Sequence, residues 1–380
     1  MPFAPNPTAI VNSEVYKWYM NSETGKLRAE AAKGGLMIAE RLKAARSAGG
    51  LSQERVGRSI GVSKMTISKY ETGSVVPNSA RLVDLAATLD VPVAWLLDPS
   101  PPGIVRPLAA LTHRPRGGLT AAAAAALMAR AAEWLERYCA AEAAIGLVPG
   151  AGPLTHSCKV ECLSAAEGAA EQVRAEWSLG SDAIESVVDT LEDHGVPVML
   201  IREASPLDAQ AVVADSGRVA VLVSAQPWDR QRFSLAHELA HLVLRPSAGV
   251  DPEQAAHRFA AAFLVPAGTA RRELGARRRS LDVDELRSLK RKYGLSVQAW
   301  VRRARELEII SRREAAAEIE RMRKLGWEAA GPAEGVRSEV PLRLERLVLR
   351  ALAEGAITES RGAELLAQPV GLLRDRLRCA

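Results

Sequence analysis

Apolar side chains recur every three or four positions along most of the 380 residues, the spacing of helices that bury one face. Ile38, Leu42 and Ala45 mark the first such face. Val56, Ile60, Val62, Ile67 and Tyr70 are spaced to pack two further helices together, with Ser52 and Ser63 as N-caps and Gly61 in a short turn between them. Leu82, Leu85, Ala86, Leu89, Val93, Leu96 and Leu97 supply more core helix. An Ala-rich tract over about 120–145, with Trp134, Leu135 and Tyr138 as packing residues, predicts a long helix, and 165–177 predicts another. After the helical spacing of Ile184, Val187, Val188 and Leu191 the period changes. Residues 196–201, 211–214 and 219–223 are short runs rich in β-branched residues, punctuated by Gly195, Pro206 and Ser216-Gly217, and predict strands. Helical spacing then returns over 233–244, 251–266 and 284–311, and Leu342 to Leu377 reads as two amphipathic helices. The expected fold is mainly α with a small β-sheet.

One of these helices carries chemistry. Phe233-Ser-Leu-Ala-His237-Glu238-Leu-Ala-His241-Leu242 places two imidazoles four residues apart, one above the other on a single helix face. Such a pair closes on one Zn²⁺, and Glu238 next to the first ligand is placed to act as general base towards water on the metal. Six histidines and 45 acidic residues in the chain leave roughly 0.01 accidental copies of this spacing, so chance is a weak rival. Two core histidines satisfied by backbone groups are the bland alternative. In the next helix, Asp251 as N-cap, Pro252 at the first position and Glu253 in the first turn are strong start signals. Glu253 and His257 are again four apart and share a face.

With its continuation Glu253-x-x-Ala-x-x-Phe259-Ala-Ala-x-Phe263-Leu-x-Pro266, the helix pair resembles the ImmA/IrrE metallopeptidase family. The resemblance runs from about Ala183 into the carboxyl-terminal region. It implies a minimal gluzincin-like α+β domain, one Zn²⁺ per chain held by His237, His241 and Glu253, and Glu238 as the base. His257 stands where the family often has Asn or Asp, which suggests a partner that orients a ligand histidine. A fourth direct ligand would instead plug the catalytic position.

Leu51 to Leu97 has the geometry of a helix-turn-helix, whose second helix enters the major groove. The string resembles the xenobiotic-response-element and phage-repressor regulators almost residue for residue. That resemblance implies a five-helix domain in which Lys64, Met65, Ser68 and Lys69 face bases and Gln53 clamps a phosphate, with Ser63 and Thr66 in the same DNA-facing set. The side chains suit these tasks: Lys donates to guanine, Ser to several base edges, and Met touches a thymine methyl. Small helical domains also reuse this hairpin for protein contacts. A DNA reader of this kind is expected to act as a homodimer on paired half-sites.

Composition sets the frame. The apolar fraction of 48% is ample for cores, no apolar run approaches a membrane span, and the N-terminus lacks a signal-peptide pattern. Cys139, Cys158, Cys162 and Cys379 have no framework spacing, which fits a reducing cytoplasm. His156, Cys158 and Cys162 are either a second metal cluster or incidental thiols. The surplus charge is local: 271–324 holds 17 basic and nine acidic residues, a net of +8 against +5 for the whole chain. Part of this stretch, 284–311, also reads as helix-turn-helix, and the resemblance implies that it belongs to the peptidase domain. It is either a patch for DNA phosphates or an acidic protein, or solvated helix faces laced with ion pairs.

Five regions are expected: an extension at 1–36, either an accessory arm or sequence ahead of a start at Met37; the reader at 37–98; a stiff Pro-rich linker from Asp98 to Gly103 opening a helical spacer to 180, which sets reader and peptidase apart or makes a dimer contact; the peptidase core at 181–270; and a basic helical region at 271–380. The resemblances together imply a cytoplasmic regulator that binds an operator and cleaves a helix-turn-helix repressor in a stress or mobile-element response. Self-cleavage between Leu97 and Leu119 is a further option. The rival expectation is a transcription factor or antitoxin whose zinc domain only senses. Tyr293 and His194 are candidates to stabilise an oxyanion.

Overall fold

The computed structural model describes residues 38–47, 49–89, 91, 93–97, 105–108, 120–147, 157–201, 207–324 and 339–379. The extension at 1–36, the linker at 98–103 and His156 lie outside them. The chain divides into two compact units, one of Met1–Gly103 with Ala121–Arg130, the other of Ile104–Thr120 with Ala131–Ala380.

The first unit contains α1 (38–47), α2 (Gln53–Ser59), α3 (Lys64–Glu71), α4 (Ser79–Leu89) and α5 (Val93–Leu97). Ser52 Oγ accepts from Arg55 N and Ser63 Oγ from Thr66 N, so the expected caps form. Leu42, Val56, Ile60, Ile67, Tyr70, Leu85 and Leu96 share one core. Leu97, expected in that core, is 50% exposed, because the five-residue α5 packs Val93, Trp95 and Leu96 against the core and leaves its last residue outside. A Cβ on buried Gly57 would stand 2.7 Å from Val62 O, so a glycine here is what lets α3 close against α2. Arg46 Nη2 (3.1 Å) and Gln53 Nε2 (2.8 Å) both donate to Glu71, and Arg46 Nη1 donates to Leu51 O (2.8 Å), which pins α1 to the hairpin.

The second unit is built on a four-stranded sheet in the order β1 (Val105–Pro107), β4 (Ala209–Ala214), β5 (Val219–Ser224), β3 (Val198–Ile201). β4 and β5 form an antiparallel hairpin that turns at Gly217 (φ +82°), β3 runs parallel to β5, and β1 runs antiparallel to β4. A second, parallel pair joins β2 (Cys158–Val160) to β6 (Leu244–Pro246). α6 (Ala121–Ala144) contributes to both units. α7 (Leu163–Glu176), α8 (Val187–Asp193), α9 (Trp228–Val243), α10 (Pro252–Leu264) and α11 (Ala267–Leu274) pack with the sheet. α12 (Val283–Tyr293), α13 (Val297–Glu306) and α14 (Arg312–Lys324) complete the same core.

That core extends beyond the expected 181–270 on both sides, on the carboxyl-terminal side into the stretch that the resemblance already assigned to the same domain. It runs from Val160 to Met322 and takes in α7 from the expected spacer and α12 to α14 from the expected basic tail. The carboxyl-terminal stretch holds three helices rather than two: α15 (Arg343–Ala353), α16 (Glu359–Leu365) and α17 (Val370–Cys379). Gly355 in the left-handed region and a Thr358 cap end one helix and start the next, and a break at Ala367 separates the last. Leu347, Val348 and Leu365 cover the packing face of α6 at Trp134, Tyr138 and Ala141, and Arg137 Nη1 donates to Leu365 O (2.9 Å). This part of the Ala-rich helix is therefore sheathed by the chain's own tail.

Candidate metal centre and nucleic-acid interface

α9 is fixed through its first two turns before it presents any ligand. In its first turn, half-buried Lys290 of α12 pairs with the buried Asp229 carboxylate (3.0 Å). Arg232, fully buried, donates to Ile184 O (2.6 Å) and Glu185 O (3.1 Å), lies over the Trp228 ring (5.5 Å) and pairs with buried Glu339 (2.5 Å). Glu339 also accepts from Val187 N and Val188 N at the start of α8 (3.2 and 2.9 Å). Buried charge is tolerated here because each group is paired and hydrogen-bonded.

One turn on, α9 and α10 bring three donor atoms together. His237 Nε2 stands 3.1 Å from His241 Nε2 and 3.2 Å from Glu253 Oε2, and His241 Nε2 is 3.5 Å from Glu253 Oε1. Ligands bonded tetrahedrally to zinc at about 2.0–2.2 Å are spaced by roughly 3.3 Å, so the donor set fits the ion. Asp251 caps α10 through Glu253 N (2.9 Å), which sets Glu253 in the first turn as its sequence signals require. His257 joins the group: its ring centroid lies 4.6 Å from that of His237, and its Nδ1 is 2.7 Å from Glu253 O. A carbonyl only accepts, so this Nδ1 carries the proton and Nε2 carries the lone pair. Glu238 lies with His237 and His241, with ligand atoms all within 4.8 Å. Its carboxylate accepts from Ala211 N on β4 (2.5 Å). Burial pushes its carboxyl above the usual range, against the opposing pull of His237 and the Ala211 amide.

In the reader, Lys64, Met65 and Lys69 are exposed on α3, and Met65 at 68% is the most exposed large apolar side chain among the described residues. Thr66 and Ser68 are half-buried. Ser63 Oγ is engaged with Thr66 N and Thr66 Oγ1 (3.1 and 2.9 Å), so it serves the helix start. The amide nitrogen expected of Gln53 as a phosphate clamp is held by Glu71.

Residues 42–96 match the family model for a helix-turn-helix, and residues 191–305 match the model for an IrrE N-terminal-like domain. The chain therefore joins a helix-turn-helix domain to an IrrE N-terminal-like domain. An uncharacterized HTH-type transcriptional regulator of Sinorhizobium medicae and another of Rhizobium meliloti are each 33% identical to this chain over 64 residues, 17% of its length. The match spans 46% of those relatives, less than half of their length. No solved structure matches it significantly.

The IrrE-like domain corrects several smaller expectations. Tyr293 donates to Glu273 Oε1 (2.6 Å), and His194 stacks on Trp177 (4.2 Å) with Nδ1 at Thr190 O, so both oxyanion candidates are engaged elsewhere. Cys158 Sγ lies near Gln172 Oε1 (3.9 Å) and Cys162 Sγ near Ser164 Oγ (3.1 Å). Those neighbours are eight residues apart on α7, about 12 Å, so the two thiols do not form one cluster. Among the described residues, no helix is long and apolar enough to cross a membrane. Sequence reasoning missed the Ala211 amide on Glu238 and the Arg232–Glu339 lock. Neither has a local signal, since both join residues distant in the chain.

Proposed function

We propose that the chain is a DNA-binding regulator whose IrrE-like domain is a zinc-dependent endopeptidase. The carrying observation is the 3.1–3.5 Å triangle of His237, His241 and Glu253 with the Glu238 carboxylate beside it. His237, His241 and Glu253 would hold one Zn²⁺, which supplies Lewis-acid polarisation of a peptide carbonyl and a lowered pKa for water. Glu238 takes the proton from the attacking water and hands it to the departing amine nitrogen. The Ala211 amide fixes the Glu238 carboxylate, and burial keeps bulk water from competing for it. His257, tied to Glu253 O and grouped with His237 and Glu253, would orient the ligand set.

The α3 face with Lys64, Met65, Ser68 and Lys69 reads an operator, as a homodimer on paired half-sites. The peptidase substrate is a helix-turn-helix repressor or the chain itself, cut in a cytoplasmic stress or mobile-element response. Covalent fusion raises the concentration of peptidase where the reader is bound. The test co-expresses the full chain with a candidate repressor and compares wild type with Glu238→Gln. Retained zinc with at least ~100-fold slower cleavage supports the proposal. Equal cleavage by both proteins, or purified chain that takes up no zinc, defeats it.

A further inference from the structure

β1 is the outermost strand of the sheet, and its register on β4 is Val105↔Ala214, Arg106↔Val213, Pro107↔Val212. One residue on, Leu108 N donates to Ala211 O (2.9 Å). In an antiparallel strand the N–H and C=O of one residue point to the same edge. In an unbroken ladder, Ala211 N would therefore donate to the carbonyl of Leu108. It donates instead to Glu238 Oε2 (2.5 Å). The ladder stops where the carboxylate of the base begins, since Leu108 N and the Glu238 carboxylate bond the carbonyl and the amide of the same residue, Ala211. Val105 is buried and Leu108 packs on the main core, so the segment is seated rather than grazing. In chain order it follows the reader helices and precedes the rest of the peptidase unit.

We infer that the outer edge of β4 presents an extended peptide to Glu238, and that the chain's own Val105–Leu108 segment is the peptide presented, so that a bond flanking Leu108 is hydrolysed. This rests on the peptidase reading and names its substrate. Strand addition suits the task, because main-chain hydrogen bonds hold a peptide in extended form whatever its side chains. In the reaction the oxygen of water bonds to the carbonyl carbon of Pro107 or Leu108, and the C–N bond breaks. One proton of the water passes through Glu238 to the departing nitrogen. The products are a new carboxylate on the reader side and a new amine on the peptidase side. The outcome is a break in the chain between the helix-turn-helix region and α6.

The test purifies the full chain in chelator, adds Zn²⁺ alone, and follows intact mass and new N-termini, with a co-expressed helix-turn-helix repressor assayed in parallel. The expected result is a new N-terminus within one residue of Leu108, absent in Glu238→Gln. Leu108→Pro removes the N–H that Ala211 O accepts and slows self-cleavage about tenfold, whereas Leu108→Ala keeps it and stays within about threefold of wild type. Thermal unfolding of both variants checks that they fold. A zinc-loaded chain that cuts the repressor but stays whole, or cuts itself far from Leu108, overturns the inference and leaves the peptidase reading standing. Faster repressor cleavage by Leu108→Pro overturns it too, since the strand would then be a blocker. If neither protein is cut, the peptidase reading fails and takes the inference with it.

Discussion

Two stretches of this chain share one syntax and come to opposite ends. α2–Gly61–α3 and α12–Gly294–α13 each place a left-handed glycine between two helices, and each second helix is capped by a serine, Ser63 or Ser296. The first pair leaves Lys64, Met65 and Lys69 in solvent on its second helix. The second buries Val297, Trp300, Val301, Arg303 and Ala304, with Arg303 fully enclosed and paired to Glu167. Gly61 faces open space, whereas a Cβ on Gly294 would fall 2.3 Å from Arg232 Nε and 2.5 Å from Trp228 Cζ3. Helix-turn-helix spacing therefore specifies a hairpin and nothing about its partner. Which face the second helix leaves exposed decides whether it can read DNA.

The largest expected effect tests that glycine contrast. Gly294→Ala combines left-handed strain with a clash against an Arg232 already locked by Ile184, Glu185 and Glu339, and should cost on the order of 4 kcal/mol in denaturant unfolding. Gly61→Ala has only the backbone cost, about 1 kcal/mol, because nothing lies near the new methyl. If the two melt alike, the contrast between the hairpins is wrong. Next comes Arg303→Ala, which leaves the Glu167 carboxylate facing only Arg258 and should destabilise by about 3 kcal/mol. Its operator affinity, measured on folded protein, should not change.

The IrrE-like domain also carries a pH dependence. Burial raises the Glu192 carboxyl to about 7, opposed by hydrogen bonds from Val198 N and Arg343 N. The folded state therefore holds this proton more tightly than the unfolded chain. Stability from it is complete below about pH 4.5 and is lost as pH rises through 7, a difference of about 3 kcal/mol. Glu192→Gln should flatten that slope in unfolding curves taken across the window, and an unchanged slope would assign the titration to another group. The smallest effect concerns the exposed hairpin. Lys64→Ala should leave stability within about 0.5 kcal/mol yet cost about 1–3 kcal/mol of operator affinity and relax discrimination at one base position. Unchanged discrimination between operator variants would remove Lys64 from the base-facing set.

Much of this was legible because it is local. The caps Ser52, Ser63 and Asp251, the turn at Gly61 and the His237–His241 spacing all lie within one or two turns of helix, where period and cap chemistry act. Three strands, β3 to β5, were visible as apolar runs with bounds that moved by up to two residues, whereas the short β1, β2 and β6 were not expected. Leu97 misled because an apolar residue at the end of a short helix carries no sign of which way the chain leaves. The wider core was hidden for a different reason. Glu167 with Arg303 and Arg232 with Glu339 are pairs separated by more than 100 positions, and composition cannot distinguish a buried arginine from a solvated one. For the same reason the net charge of 271–324 overstated what that surface offers.

The Arg232–Glu339 pair also imposes an order in time. The arginine sits five residues before the first candidate ligand, and its carboxylate lies 107 positions further along the chain. A ribosome therefore finishes both candidate ligand helices long before it supplies the glutamate that locks the first of them. Fastening of that helix waits for the last stretch of translation, and a chain cut short before residue 339 would keep the helix-turn-helix region but lack the carboxylate that holds the first candidate ligand helix.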